Sequence, residues 1–227
     1  MKTEVSVLKI IAPLLMLICA CNNKPSNLIF NGSAEMPNYD SVPKGWQNIS
    51  GNWTAAKLDS AHDIVTPPQS GSYFFFAHLG VVSILQQDVD VSTYAKTIDD
   101  KKQKFILSGY EQTLDQGPLS DQGMLKAECL DASKNKILYS DSTDTLMSVS
   151  KWQAVSDTFL APSSTRFIRV QLIAFRRVGN DDDGYFDNIS LSALPSQNYL
   201  LIGVIIVVVI IMIGITFYLQ LNKKNNK

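Results

Sequence analysis

The chain has 227 residues, a formal net charge of −1 and three cysteines. That length sets an expectation of one domain with appendages. The near-neutral balance excludes a basic field for nucleic acid, and three cysteines exclude a disulfide framework. Charged residues make up 18%, against about 25% in an ordinary soluble domain, with apolar residues at 45%. The shortfall in charge traces to two apolar segments at the ends. Lys2 and Lys9 bracket the start, and an apolar run from Ile10 to Ala20 follows. It is too short to span a bilayer and has the form of a secretory signal over residues 1–20.

The signal ends Ile18-Cys19-Ala20-Cys21: an aliphatic residue, a free position, a small residue and a cysteine. This resembles a bacterial lipobox, which makes Cys21 the expected lipidated N-terminus and residues 21–26 a polar tether. An ordinary signal peptide cut after Ala20 is the alternative. Residues 27–194 show period-two alternation and no sustained helical period, the pattern of half-buried strands. Strands are expected over 73–77, 105–110, 124–129 and 166–174. In the last of these Ile168, Val170, Leu172 and Ala174 share one face, and Arg169 and Gln171 the other. Cys129 alternates with Leu125 and Ala127, so it reads as a packed, reduced core residue. Residues 90–98 have room for a helical turn. Breakers at Pro67-Pro68, Gly117-Pro118, Pro162 and Gly179-Asn180 separate the strands. Many short strands with turns between them predict an all-β sandwich or jelly roll.

A linker over 195–198 leads to residues 199–219, which carry no charge. At a rise of about 1.5 Å per residue this segment is long enough for one transmembrane helix. Tyr199 and Tyr218 stand where interface aromatics belong, and Lys223, Lys224 and Lys227 mark 220–227 as a cytoplasmic tail. The signal and the tail agree: a single-pass chain in the cell membrane, with its domain on the periplasmic or extracellular side.

Several stretches carry a family resemblance. Asn31-Gly32-Ser33-Ala34-Glu35 with Gly45-Trp46, Gln86-Gln87-Asp88-Val89, Trp152-Gln153-Ala154-Val155-Ser156 and Asp183-Gly184-Tyr185-Phe186-Asp187-Asn188-Ile189-Ser190-Leu191 occur in order along the exported region. Together they resemble galactose-binding-like jelly rolls, among them carbohydrate-binding modules and F-box-associated sugar-binding domains. The resemblance implies a jelly-roll fold and a structural Ca2+ near the meeting of the first and last strands, with Glu35 and Asp187 at the matching positions. Asp187 shares parity with Ile189 and Leu191, so its carboxylate is expected on the core side, where it needs a partner. Acceptance of backbone amides alone is the other reading. Asp181-Asp182-Asp183 is a lesser cation candidate, expected as a solvated loop.

Sugar recognition needs aromatic faces and fixed polar groups. Trp46 and Trp152 match family positions that fill the core, while Trp53 is undecided. Tyr110, Glu111, Gln112, Asp115, Gln122 and Arg176 are the expected ligand-contacting residues. With two histidines in the whole chain, and neither a nucleophile elbow nor a metal-protease helix, no catalytic residue is assigned. The expected function is a non-catalytic binding module for carbohydrate or a glycosylated surface. The alternative is a cell-envelope structural domain that holds a protein partner.

Overall fold

The computed structural model describes residues 26–38, 41–58, 67–147, 151–195, 208–216, 218, 219 and 222. The chain divides into two units, Met1–Leu194 and Pro195–Lys227. In the first unit the described strands are β1 (Gln47–Ser50), β2 (Thr54–Ala56), β3 (Phe74–His78), β4 (Val82–Asp90), β5 (Lys104–Thr113), β6 (Gln122–Leu130), β7 (Ile137–Ser142), β8 (Gln153–Leu160), β9 (Phe167–Phe175) and β10 (Asp182–Ala193). They form two five-stranded antiparallel sheets, ordered β1-β4-β9-β6-β7 and β2-β3-β10-β5-β8. A 3-10 turn (Ser92–Tyr94) and a one-turn helix α1 (Ala95–Asp99) occupy the stretch where a helical turn is expected.

Alternation places the core. Ile168, Val170, Leu172 and Ala174 of β9 and Leu125, Ala127 and Cys129 of β6 are buried and face Phe75, Phe105, Leu107 and Phe186 of the second sheet. Each Val, Leu, Ile or Phe among them contributes about 1.5–3 kcal/mol by leaving water, and the alanines less. Burial pushes the Cys129 thiol up to about 12, so it stays protonated and unreactive. Trp46 and Trp53 both sit in this core, with Trp53 tilted against Phe186 at 5.8 Å.

Trp152 departs from expectation. It packs on the outside of the second sheet, 5.9 Å from Phe74, and its indole N–H donates to Pro67 O. There Ala56, Phe74, Phe76 and Tyr185 form a second buried cluster. The unbroken run Phe74-Phe75-Phe76 is thus a strand buried on both faces, one side in each cluster.

Asp187 also departs from expectation. The β10–β5 register shifts between Asp187 and Ser190, and Asn188 adopts φ +52°. This bulge inserts a residue, so Phe186 and Ile189 both face the core. Asp187 therefore projects from the outer face, paired with Tyr110, although it is fully buried there.

Residues 208–216 are helical and largely exposed. Among the described residues no helix is long and apolar enough to cross a membrane. Much of the expected span over 199–219, and all of the signal, Cys21 and the expected tether up to residue 25, lie outside the described residues.

Candidate functional site

The six residues expected to contact ligand do not converge. Tyr110 projects half-buried from the outer face of the second sheet. It lines a groove of about 920 Å3 with Ser108, Ser190, Ser192, Gln69 and Asn188. Gln112 shares that face but is buried beside Tyr185. Asp115 lies beyond β5, exposed, its carboxylate accepting the Gly117 amide in a turn. Gln122 belongs to the other sheet, where its Oε1 accepts from Arg177 Nη1 at 2.9 Å. Arg176, at the end of β9, donates to Asn180 O at 2.6 Å and so braces its own loop. Glu111 points between the sheets. It is 2% exposed, and neither carboxylate oxygen has a partner in hydrogen-bond geometry, because the nearby Leu125 amide donates to Thr143 Oγ1; burial pushes it up to about 8. A neutral carboxyl in the core cannot touch an external ligand.

Glu35 and Asp187 flank one loop. Glu35 Oε1 accepts the amides of Ser72 and Tyr73 at 2.8 and 2.9 Å, and Asp187 accepts those of Ser70 and Asn188 at 3.1 and 2.6 Å. Burial pushes Asp187 up to about 6; its amide donors oppose the rise and the Glu35 charge adds to it. Both carboxylates thus act as caps for the loop, and each keeps lone pairs to share. Among the described residues no three acidic, histidine or cysteine side chains stand in metal-ligand geometry. A cation at this corner would draw its remaining ligands from backbone carbonyls or water.

The acidic turn is not the solvated loop expected. Asp182 and Asp183 begin β10 and are buried, and only Asp181 lies partly in solvent, 3.7 Å from His78.

The arrangement best suited to a ligand lies on the outer face of the sheet β1-β4-β9-β6-β7. Strand register aligns Gln47, Gln86, Gln171 and Lys126 in one row across four strands. Gln86 Nε2 donates to Gln47 Oε1 at 3.2 Å, and Gln171 Nε2 to Gln86 Oε1 at 3.1 Å. Gln86 and Gln171 are only 7% and 9% exposed, so these amides are recessed and held. Beside them runs a second row, Asp88, Arg169 and Glu128. Arg169 grips Asp88 with two bonds, Lys126 meets Glu128 at 2.6 Å, and Lys134 lies 3.5 Å from Asp88. Burial alone would raise Asp88, but Arg169 and Lys134 outweigh it and hold the carboxyl below the usual range. On the other side stand Ile84, Ile173 and Met124, then Val82, Phe175 and Gln122. Paired charges leave no strong net field. Fixed amides beside apolar surface provide donors and acceptors to hydroxyls and a dry floor. Gln86 and Gln171 were visible as the polar parity of their strands; their alignment into one row comes from cross-strand register.

No family model matches this sequence, and no curated protein matches it. Solved structures do share its architecture. A family 16 carbohydrate-binding module superposes at TM-score 0.51 and 17% identity, covering 73% of this chain and 99% of the module. A cyclase from Fischerella sp. TAU gives TM-score 0.52 at 15% identity over 77% of this chain and 100% of the cyclase. The enzymatically active domain of bacteriophage CBA120 tailspike protein 4 gives 0.53 at 14% identity over 74% of this chain. This chain spans only about a fifth of that tailspike structure, 21%. At these identities the likeness is one of fold. The described domain is a jelly-roll β-sandwich with the fold of carbohydrate-binding modules.

Proposed function

We propose that this protein is a membrane-attached, outward-facing, non-catalytic module that binds carbohydrate on the outer face of β1-β4-β9-β6-β7. The row Gln47, Gln86 and Gln171 carries this reading. Recessed, mutually oriented amides between an ion-paired row and an apolar row suit a neutral, polyhydroxylated chain, free or displayed on a glycosylated surface. Gln171 and Phe175 stand four residues apart on β9, about 13 Å, the span of a short oligosaccharide.

The expected signal over 1–20 and the apolar segment over 199–219 support the membrane placement. Within the domain, Leu28 N donates to Leu191 O and Ser192 Oγ to Ser26 O, so the chain enters and leaves at one end. Protease added to intact spheroplasts is expected to digest the domain and spare the lysine-rich tail; the opposite pattern inverts the topology. A structural Ca2+ between Glu35 and Asp187 belongs to the same proposal, supported by two neighbouring carboxylates, with no basic partner for Asp187 among the described residues.

Calorimetric titration of the purified full chain, after a glycan array, tests the binding. The double variant Gln86→Ala/Gln171→Ala is expected to lose at least tenfold in affinity with its melting transition retained, about 1.4 kcal/mol or more. A folded wild type that binds no saccharide would overturn the reading. The second reading, an envelope protein partner, is favoured by an apolar tip. Ile49, Leu79, Val81 and Val82 are 47%, 47%, 63% and 42% exposed, and Ser50 Oγ joins the two turns by donating to Val82 O. Recovery of one stoichiometric envelope protein without saccharide affinity would select it.

A further inference from the structure

We propose that the end of the sandwich where β10 begins holds a hard, oxygen-liganded metal cation, with the Asp182 carboxylate and the Ser83 hydroxyl as its side-chain ligands. Both residues are fully buried. Asp182 Oδ1, Asp182 Oδ2 and Ser83 Oγ all lack a hydrogen-bond partner. Oxygens removed from water without compensation are costly, and a carboxylate is the costliest. Ser83 faces inward from β4 and interacts with Asp182 across the gap between the sheets, although not with hydrogen-bond geometry.

The backbone around Ser83 is built for close approach. A Cβ at Gly51 would stand 2.5 Å from Ser83 Oγ, and one at Gly80 would stand 2.3 Å from it. Leu79 O lies 3.2 Å from that same Gly51 position. Two turns therefore press on the hydroxyl, and the Leu79 carbonyl lies beside the Gly51 turn. The donor set is oxygen throughout, which selects Ca2+ or another hard cation over softer metals.

Among the described residues no ion pair is formed by Asp182. Burial pushes its carboxyl up to about 7; Asp121 and Asp183 add to the rise, and Ser83 and the Gly184 amide oppose it without cancelling it. Asp121 is occupied by the amides of Arg177, Val178 and Asp183, and Asp183 by Gln116 and Tyr185. Arg176 and Arg177, the nearest basic residues in sequence, turn to Asn180 O and Gln122 Oε1 instead. A proton on Asp182, donated to Ser83 Oγ, would satisfy two of the three oxygens and leave the other carboxylate oxygen unserved. A cation at about 2.3–2.6 Å takes all three orphaned oxygens together and adds carbonyl or water ligands. The site is separate from the Glu35–Asp187 corner: Asp182 and Asp187 are five residues apart on β10, about 17 Å. It would tie the β1–β2 turn, the β3–β4 turn and the start of β10 into one unit.

The test uses the purified full chain as wild type, Asp182→Asn, Ser83→Ala and Glu35→Gln. Each is dialysed against Ca2+, Mg2+ or K+, metal per chain is counted by mass spectrometry, and the cation-dependent rise in Tm is recorded. Asp182→Asn is expected to lose one equivalent of cation and the part of the Tm rise that goes with it. Ser83→Ala is expected to weaken binding roughly tenfold, as for one lost polar ligand. Glu35→Gln is expected to keep the Asp182-dependent equivalent. If K+ alone produces the effect, the site is monovalent and the proposal holds. An Asp182→Asn chain with wild-type cation content and Tm rise, or a wild type that binds none of the three, would overturn it. If Asp182→Asn does not fold, Ser83→Ala decides: unchanged cation affinity refutes the site, and reduced affinity supports it.

Discussion

Replacing Glu111 by glutamine is expected to remove about half of the pH dependence of stability between about pH 5 and 8, the largest share of any single group. Glu111 faces the core from β5, with Phe186 beside it in register and Gly123 across the sandwich, where a Cβ would stand 3.5 Å from Oε2. Burial pushes the carboxyl from 4.5 to about 8; the Leu125 amide opposes this without cancelling it. The folded chain therefore holds one more proton than the unfolded chain across that window, and stability falls as pH rises. The slope is about 1.4 kcal/mol per pH unit, or about 4 kcal/mol over those three units. Asp187 and Asp182, pushed up to about 6 and about 7, act with the same sign over narrower windows. They remain in the variant, so the difference between the two chains isolates Glu111. Urea unfolding in EDTA at half-unit pH intervals measures it. Glu111→Gln should match or trail wild type near pH 5 and exceed it by several kcal/mol at pH 8. Parallel curves for the two chains would refute the buried, unpartnered carboxyl.

Trp53 is 1% exposed, packs on Phe186 and donates to Ser50 O at 3.1 Å. Trp53→Ala should cost about 3–5 kcal/mol in denaturant unfolding, and a cost below 1 would remove Trp53 from the core. At Gly184 a Cβ would lie 2.5 Å from the Ala174 Cβ, so Gly184→Ala should cost about 1–3 kcal/mol. Adding Ala174→Gly should restore most of that loss, and no rescue would show that the two sheets do not meet there. Calcium is expected to raise Tm less in Glu35→Gln than in wild type, and an identical rise would exclude the Glu35–Asp187 corner as a calcium site.

The strands were legible because each half-buried β-strand writes its burial into alternate residues. The faces of β9 and β6, the inward Cys129 and the short helix after β4 could all be read from pattern. Trp152 and Asp187 were misplaced for separate reasons. Trp152 packs against a second apolar cluster on the outside of a sheet, and an aromatic residue carries no mark of which side it covers. Asp187 lies at a bulge, which breaks the parity on which the inward reading relied.

The candidate site was less legible. Tyr110, Glu111 and Gln112 are consecutive, so they cannot share one face of a strand; Glu111 turned inward while its neighbours turned out. Gln86 and Gln171 are 85 residues apart, and only the β4–β9 register brings their amides into contact.

The order of apolar and polar residues alone determined that this protein builds an all-β domain between two apolar ends, because solvent exposure repeats with the local period of the backbone. Which polar residues meet was decided by the tertiary structure. Strand register, the bulge in β10 and the glycine turns around Ser83 are long-range arrangements, and their energies depend on partners far away in the chain.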